Sequence, residues 1–278
     1  MDISATLVKT LRDRTNLPMM ECKKALAQTG GDIDKAIDYL RTNFKNVAVS
    51  RTGKETAEGR IGVFVAPDTK TAAIVEMRCE SPPVVKSEAF VSLANDIAKQ
   101  VATANPANVE ALLAGKVVGE SSKTVADRIH DTIGLIRENM KPARFKRLSG
   151  GLIGSYVHHD GSIGVLVQVE GAKADPQVLR DVCMHITAKN PLAARREDMA
   201  ADVVAKEKEI ATAQAAATGK PPQIAEKIAE GKLKTFFAEN VLVEQPFVKE
   251  ESKTVGELLK AHGLTMVGFV RYKVGEVQ

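Results

Sequence analysis

The chain has no tryptophan, and aromatic residues make up 4% of its 278 positions. Surfaces that read single-stranded nucleic acid by base stacking are built on aromatic side chains, so this scarcity counts against an RRM or OB-type platform. The three cysteines, Cys22, Cys79 and Cys183, lie far apart with no Cys-x-x-Cys spacing. That argues against a disulfide framework and against a structural zinc site. No stretch approaches the roughly 18 apolar residues of a membrane span. Met1-Asp2-Ile3-Ser4 lacks the basic-then-apolar order of a leader. A reduced, cytoplasmic protein without membrane contact is expected.

Neither sign of charge dominates. The 39 basic and 35 acidic residues leave a net charge of +4, which forms no basic stripe, and direct nucleic-acid binding is not expected. A phosphate loop of the form Gly-x-x-x-x-Gly-Lys-Ser/Thr is absent: Gly53-Lys54 is followed by Glu55, and Ser149-Gly150-Gly151 leads into a strand-like run. The chain therefore should not bind nucleotide itself. No paired carboxylates, nucleophile–base pair or metal-ligand cluster stands out, so neither an enzyme nor a cofactor or metal protein is expected.

What the sequence does contain is a repeat. Residues 61–77 and 153–169 align without a gap at an offset of 92, placing Gly62 on Gly154, Phe64 on Tyr156 and Asp68 on Asp160. Each copy reads as a β-hairpin about a polar turn, Pro67-Asp68-Thr69-Lys70 and His159-Asp160-Gly161-Ser162. A helical segment ending in Asn-Pro follows each, Phe90 to Asn105 and Val178 to Asn190. Downstream, Lys123-Thr124-Val125 opens a helical run toward Phe145, and Lys253-Thr254-Val255 one leading to the strand-like Met266 to Val274, at an offset of 130. The two offsets differ by 38 residues, so the second copy should carry an insertion of that size, and residues 198–237 fit it. A repeat this long implies two related subdomains rather than a solenoid.

The expected fold is α+β: a three-helix module (1–45), a polar linker (46–60), a first α/β subdomain (61–148) and a second (149–278) with a helical-hairpin insertion (198–237). In the module, Ser4 caps a helix carrying Leu7, Val8 and Leu11, and Asn16-Leu17-Pro18 breaks it. The next helix places Met19, Met20, Ala25 and Leu26 on an apolar face and Lys23 and Lys24 on a basic one. Asp32 caps the third, with Ile33, Ala36, Ile37 and Leu40 inward. In the insertion, Val203, Ile210 and Ala217 recur at seven, Gly219-Lys220-Pro221-Pro222 turns the chain, and Ile224, Ile228 and Phe236-Phe237 mark the return arm.

Leu7 to Thr15, Met19-Met20-Glu21-Cys22-Lys23-Lys24-Ala25-Leu26 and Gly31-Asp32-Ile33-Asp34-Lys35-Ala36-Ile37 resemble the N-terminal module of the bacterial translation elongation factor Ts family. The likeness continues through Tyr156-Val157-His158, Met184-His185-Ile186, Gly219-Lys220-Pro221 and Gly268-Phe269-Val270-Arg271-Tyr272, and covers the chain from Ile3 to Glu276. It implies a ubiquitin-associated-like module, a coiled-coil protrusion, and a nucleotide exchange factor for the GTPase elongation factor Tu.

Carried onto these residues, the resemblance places Arg12, Met19, Met20 and Lys23 against the nucleotide-binding domain of the partner. His158 and the loop Ser81-Pro82-Pro83-Val84 would lie on its magnesium side. The family has Thr-Asp-Phe in that loop; here Ser81 stands for the threonine, while Pro82 and Pro83 replace the carboxylate and the aromatic wedge. The loop is then either a stiff wedge built differently or an inert turn. His158-His159 could alternatively suggest a metal, but no further ligand is spaced to join the pair. Some relatives continue into a further C-terminal helix, and this sequence stops at Gln278. Two other functions remain open: a GTPase-binding scaffold without exchange activity, and an RNA- or ribosome-associated adaptor using Lys141, Arg144, Lys146 and Arg147.

Overall fold

The structure, a computed structural model, describes residues 3–15 and 17–276. Three helices come first: α1 (Ala5–Thr15), α2 (Met19–Gln28) and α3 (Ile33–Arg51). A hairpin of β1 (Glu58–Val65) and β2 (Thr71–Cys79) follows, then the single turn α4 (Pro82–Val85), α5 (Glu88–Ala104) and α6 (Val109–Ala114). The small ladder β3 (Lys116–Val117) and β4 (Glu120–Thr124) leads into α7 (Val125–Ile136) and β5 (Met140–Ser149).

The same order then returns as β6 (Leu152–Val157), β7 (Ile163–Glu170) and α8 (Pro176–Lys189). After α9 (Ala201–Ala216) and α10 (Pro222–Asn240) come β8 (Pro246–Phe247), β9 (Glu250–Thr254), α11 (Val255–Ala261) and β10 (Thr265–Lys273). Two three-stranded sheets, ordered β1-β2-β5 and β6-β7-β10, make this an α+β chain.

Local chemistry explains the recurrence. α5 and α8 both end on an asparagine in the left-handed region, Asn105 at φ 49° and Asn190 at φ 47°, a conformation asparagine tolerates and the following proline cannot continue as helix. Thr124 and Thr254 each form a capping box, with Asp127 and Glu257. The repeated pair Gly62 and Gly154 marks close approaches: an added Cβ would lie 2.2 Å from the Ala94 carbonyl oxygen in one and 2.4 Å from Leu179 Cβ in the other. Only a residue without a side chain lets helix and strand meet so closely. The ladders before α7 and α11 repeat as well, Lys116 facing Thr124 as Pro246 faces Thr254. Sequence reading missed these because β3 and β8 have two residues each and their partners β4 and β9 are polar throughout, so no alternation signal arises.

Several expectations change. Residues 46–51, read as linker, are helical, because Ala36, Leu40, Phe44 and Ala48 form one buried stripe at four-residue spacing. Phe44 in that stripe sits against Gly134 of α7, where a Cβ would fall 2.2 Å from the ring. The polar outer face of α3 looked like a linker only because its inner face is narrow. The break expected at Asn16-Leu17-Pro18 begins on Asn16, outside the described residues. The run opened by Lys123-Thr124-Val125 does not continue helically toward Phe145. It stops at Ile136, Arg137 takes a left-handed conformation (φ 64°), and Phe145 lies on β5.

The chain divides into two compact units that are not contiguous in sequence: 1–62, 75–145 and 274–278 in one, 63–74 and 146–273 in the other. This replaces the expected boundary at 148/149. In the second unit the tip of the β1–β2 hairpin is hydrogen-bonded to the start of β6, Gly150 N–H to the Lys70 carbonyl at 2.8 Å and Ile153 N–H to the Thr69 carbonyl at 2.9 Å. In the first, Gly275 N–H returns to Glu76 Oε1 at 2.9 Å.

The insertion is a pair of helices, α9 and α10, packed on each other. Its seam is shifted by one residue from the expected one. Ala211 and Ala215 are buried, while Val203, Ile210 and Ile224 are exposed. Alanine wins the inner face because small side chains let two helices approach closely, and the larger residues are left outside.

His185, within Met184-His185-Ile186, is fully buried in the second unit. Its Nδ1 accepts from Val248 N–H at 3.2 Å and Nε2 lies 2.9 Å from Gln245 Oε1, so the neutral Nε2–H tautomer fits both partners. Burial pushes its pKa below the usual histidine value, and the Gln245 hydrogen bond opposes that only in part. With the folded pKa depressed, its contribution is complete above about pH 6.5 and is lost as pH falls toward the folded value, with a slope of at most about 1.4 kcal/mol per unit. Urea midpoints at pH 7.5 and 5.5 should therefore drop in the wild type and drop less in His185→Gln. Equal drops would remove His185 as the cause.

Candidate functional site

The loop that follows β2 is an exposed feature of the first unit that is hydrogen-bonded at its base. Ser81 stands just before α4, and Pro82 and Pro83 occupy its first two positions with both rings exposed. Val84 is buried. It faces the core because the helical turn carries it a third of the way round from Pro83, and it leaves the partner-facing set proposed from sequence. The tip is thus the proline pair alone.

Ser81 is held on three sides. Its N–H donates to Glu138 Oε2 at 3.1 Å, its Oγ donates to Glu138 Oε1 at 2.6 Å, and the Cys79 thiol reaches its carbonyl at 3.6 Å. Burial pushes the Cys79 thiol up to about 12, with Glu138 and Glu58 adding to the shift, so it stays a protonated donor. The neighbouring Glu80 accepts from Asn139 N–H and pairs with Arg51 Nη1 at 3.5 Å. Asn139 Nδ2 donates in turn to the Lys54 carbonyl at 2.8 Å. The end of α3, the loop and the turn after α7 are one hydrogen-bonded assembly. Sequence reading singled out none of Glu80, Glu138 and Asn139, since partners 57 and 59 residues apart leave no local pattern.

The four N-terminal candidates, Arg12, Met19, Met20 and Lys23, are all exposed. Met19 and Met20 do not belong to the inner face of α2 as expected, being 54% and 62% exposed. Cys22, Ala25 and Leu26 fill that face, packed with Leu11 and Leu40. Burial pushes the Cys22 thiol up, with the Thr15 hydrogen bond and the charge of Arg12 opposing. Two unbranched, polarizable side chains standing free at the start of a helix are suited to contact with another protein.

His158 lies in the second unit, in the turn after β6. Its Nδ1 is 3.2 Å from Tyr156 Oη, its ring meets that of His159 edge-on at 4.3 Å, and Arg180 stacks over Tyr156 at 5.3 Å. This is a polar and aromatic surface cluster. Among the described residues no group of three or more His, Cys, Asp or Glu comes together.

Lys141 to Arg147 do not form a basic helix face. They lie on β5, where Lys141 and Arg144 fall on opposite faces. Arg144 is committed to Glu76 at 2.7 Å, and Arg147 is also engaged. No helix among the described residues is long and apolar enough to cross a membrane.

Comparison with known proteins gives the family. Residues 80–276 match the family model described as Elongation factor TS. The chain is 45% identical to Elongation factor Ts of Methylococcus capsulatus over 278 residues, covering 99% of this chain and 93% of that one. It is 42% identical to Elongation factor Ts of Azoarcus over 276 residues, at 99% and 91% coverage, and 39% identical to that of Clostridium botulinum over 285, at 99% and 93%. With likeness along nearly its whole length, the chain belongs to the elongation factor Ts family and has a role in translation elongation.

Proposed function

We propose that this chain is a nucleotide exchange factor that binds elongation factor Tu in the cytoplasm and speeds GDP release by disturbing the magnesium and phosphate site. On this reading it makes and breaks no covalent bond and needs no cofactor. It binds the empty GTPase more tightly than the GDP-loaded form, and GDP then binds the complex more weakly by the same factor. The first three helices act as the ubiquitin-associated-like module, gripping the partner through Arg12, Met19, Met20 and Lys23. His158 and the α9–α10 pair, read as the coiled-coil protrusion, supply further contacts.

The observation that carries this reading is the Pro82-Pro83 tip. It is exposed, apolar and stiff, since both φ angles are fixed by the rings, and it is anchored through Ser81. Such a tip can press on a partner loop without reactive chemistry. The test is release of mant-GDP from elongation factor Tu, where micromolar factor should accelerate the off-rate and an unchanged off-rate would reject the function. A second reading, a scaffold that binds without exchanging, is favoured by the lack of a carboxylate or aromatic ring at the tip. It predicts binding with no change in the GDP off-rate.

A further inference from the structure

We propose that Glu138 is a positioning residue for the Pro82-Pro83 tip: with Glu80 it forms a reciprocal clasp that fixes the tip beside the end of α3. The inference rests on the exchange reading above. A serine ahead of a helix ordinarily uses its hydroxyl to accept an N–H of the first turn. Ser81 makes no such cap. Two prolines in the first two positions of α4 remove donors from that turn, and the hydroxyl donates outward to Glu138 Oε1 at 2.6 Å instead. The Ser81 N–H takes the other oxygen at 3.1 Å.

The prolines that stiffen the tip leave it few hydrogen bonds of its own. With φ fixed at Pro82 and Pro83, the direction of the tip follows from the placement of Ser81, and Glu138 holds two of the polar groups of Ser81. The return half of the clasp comes from the adjacent residues, Asn139 N–H to Glu80 and Arg51 to the same carboxylate. Arg137 takes up its left-handed conformation just before this pair, which turns Glu138 and Asn139 toward the loop and costs backbone energy that the clasp offsets. An inert turn needs none of this. Because Arg51 ends α3 and Asn139 Nδ2 binds the Lys54 carbonyl, the same network ties the tip to the helix that begins in the three-helix bundle.

The experiment uses the full-length chain with nucleotide-free and mant-GDP-loaded elongation factor Tu, measuring the maximal acceleration of release and, separately, the Kd for the empty GTPase. Glu138→Ala removes the acceptors of both the Ser81 N–H and the Ser81 hydroxyl. Ser81→Ala removes the hydroxyl bond alone. Both should lower the maximal acceleration by about 10-fold, the equivalent of losing roughly one hydrogen bond to a charged group, with Kd changed less than about threefold. Ser81→Thr, which keeps the hydroxyl, should recover most of the loss.

Full acceleration by Glu138→Ala overturns the clasp's role, and so does a parallel fall of acceleration, affinity and melting temperature, which marks a purely structural contact. Failure of the unsubstituted chain to accelerate release overturns the exchange function itself, and the clasp's role with it.

Discussion

Replacing Glu76 with alanine should lower the unfolding free energy by about 3 kcal/mol, at the lower end of the range for breaking a buried ion pair. The Glu76 side chain is 4% exposed and faces two guanidinium groups, Arg78 Nη1 at 2.9 Å and Arg144 Nε at 2.7 Å. It also accepts the Gly275 N–H. Arg78 reaches on to the Thr56 and Ala57 carbonyls at 3.0 and 2.7 Å. One carboxylate therefore joins β2, β5, the residues before β1 and the returning C-terminal segment. Removing it leaves two cations close together without their counter-ion. The low end of the range is appropriate because Arg78 and Arg144 retain 17% and 21% side-chain exposure, which lets water screen them in part. Urea unfolding checks this, and a loss under about 1 kcal/mol would show that the site behaves as a surface pair.

The largest functional effect outside the tip is expected at the start of α2. Changing Met19 and Met20 together to alanine should weaken binding to the empty GTPase by about 30-fold, the equivalent of roughly 2 kcal/mol for truncating an interface anchor. The melting temperature should hardly move, because neither side chain packs in the core formed by Leu11, Cys22, Leu26 and Phe44. A change below threefold in titration calorimetry would remove these residues from the contact surface. Deleting residues 1–50 is the blunter form of the experiment and confounds two effects. It would also strip Phe44 and Ala48 from the first unit and uncover the face of α7 at Gly134.

Much of the local structure was written in short-range chemistry. Asp32 is followed by an Ile, Ala and Leu stripe, Thr124 and Thr254 each have a carboxylate three residues on, and both Asn-Pro pairs terminate helices. Each signal spans a single turn, so no distant residue is needed to read it. The repeat was legible for the same reason, since matched glycines and matched turns preserve matched close approaches. Where the reading failed, a narrow buried stripe had to be told from an exposed one. α3 runs past residue 46, and the α9–α10 seam falls on Ala211 and Ala215 rather than Ile210. In both cases spacing alone allows either face, and the facing helix chooses.

The sequence by itself determined the duplicated hairpins, the caps and asparagines that start and stop several helices, and the family to which the residues point. Only the tertiary structure decided that Val84 is core while Pro82 and Pro83 are surface, that Met19 and Met20 stand free, and that Glu138 holds Ser81 across 57 residues. The first group depends on dihedral preferences and hydrogen bonds within one turn of chain. The second depends on which distant carboxylates, helices and strands come to share the same space, and one-dimensional spacing does not encode that.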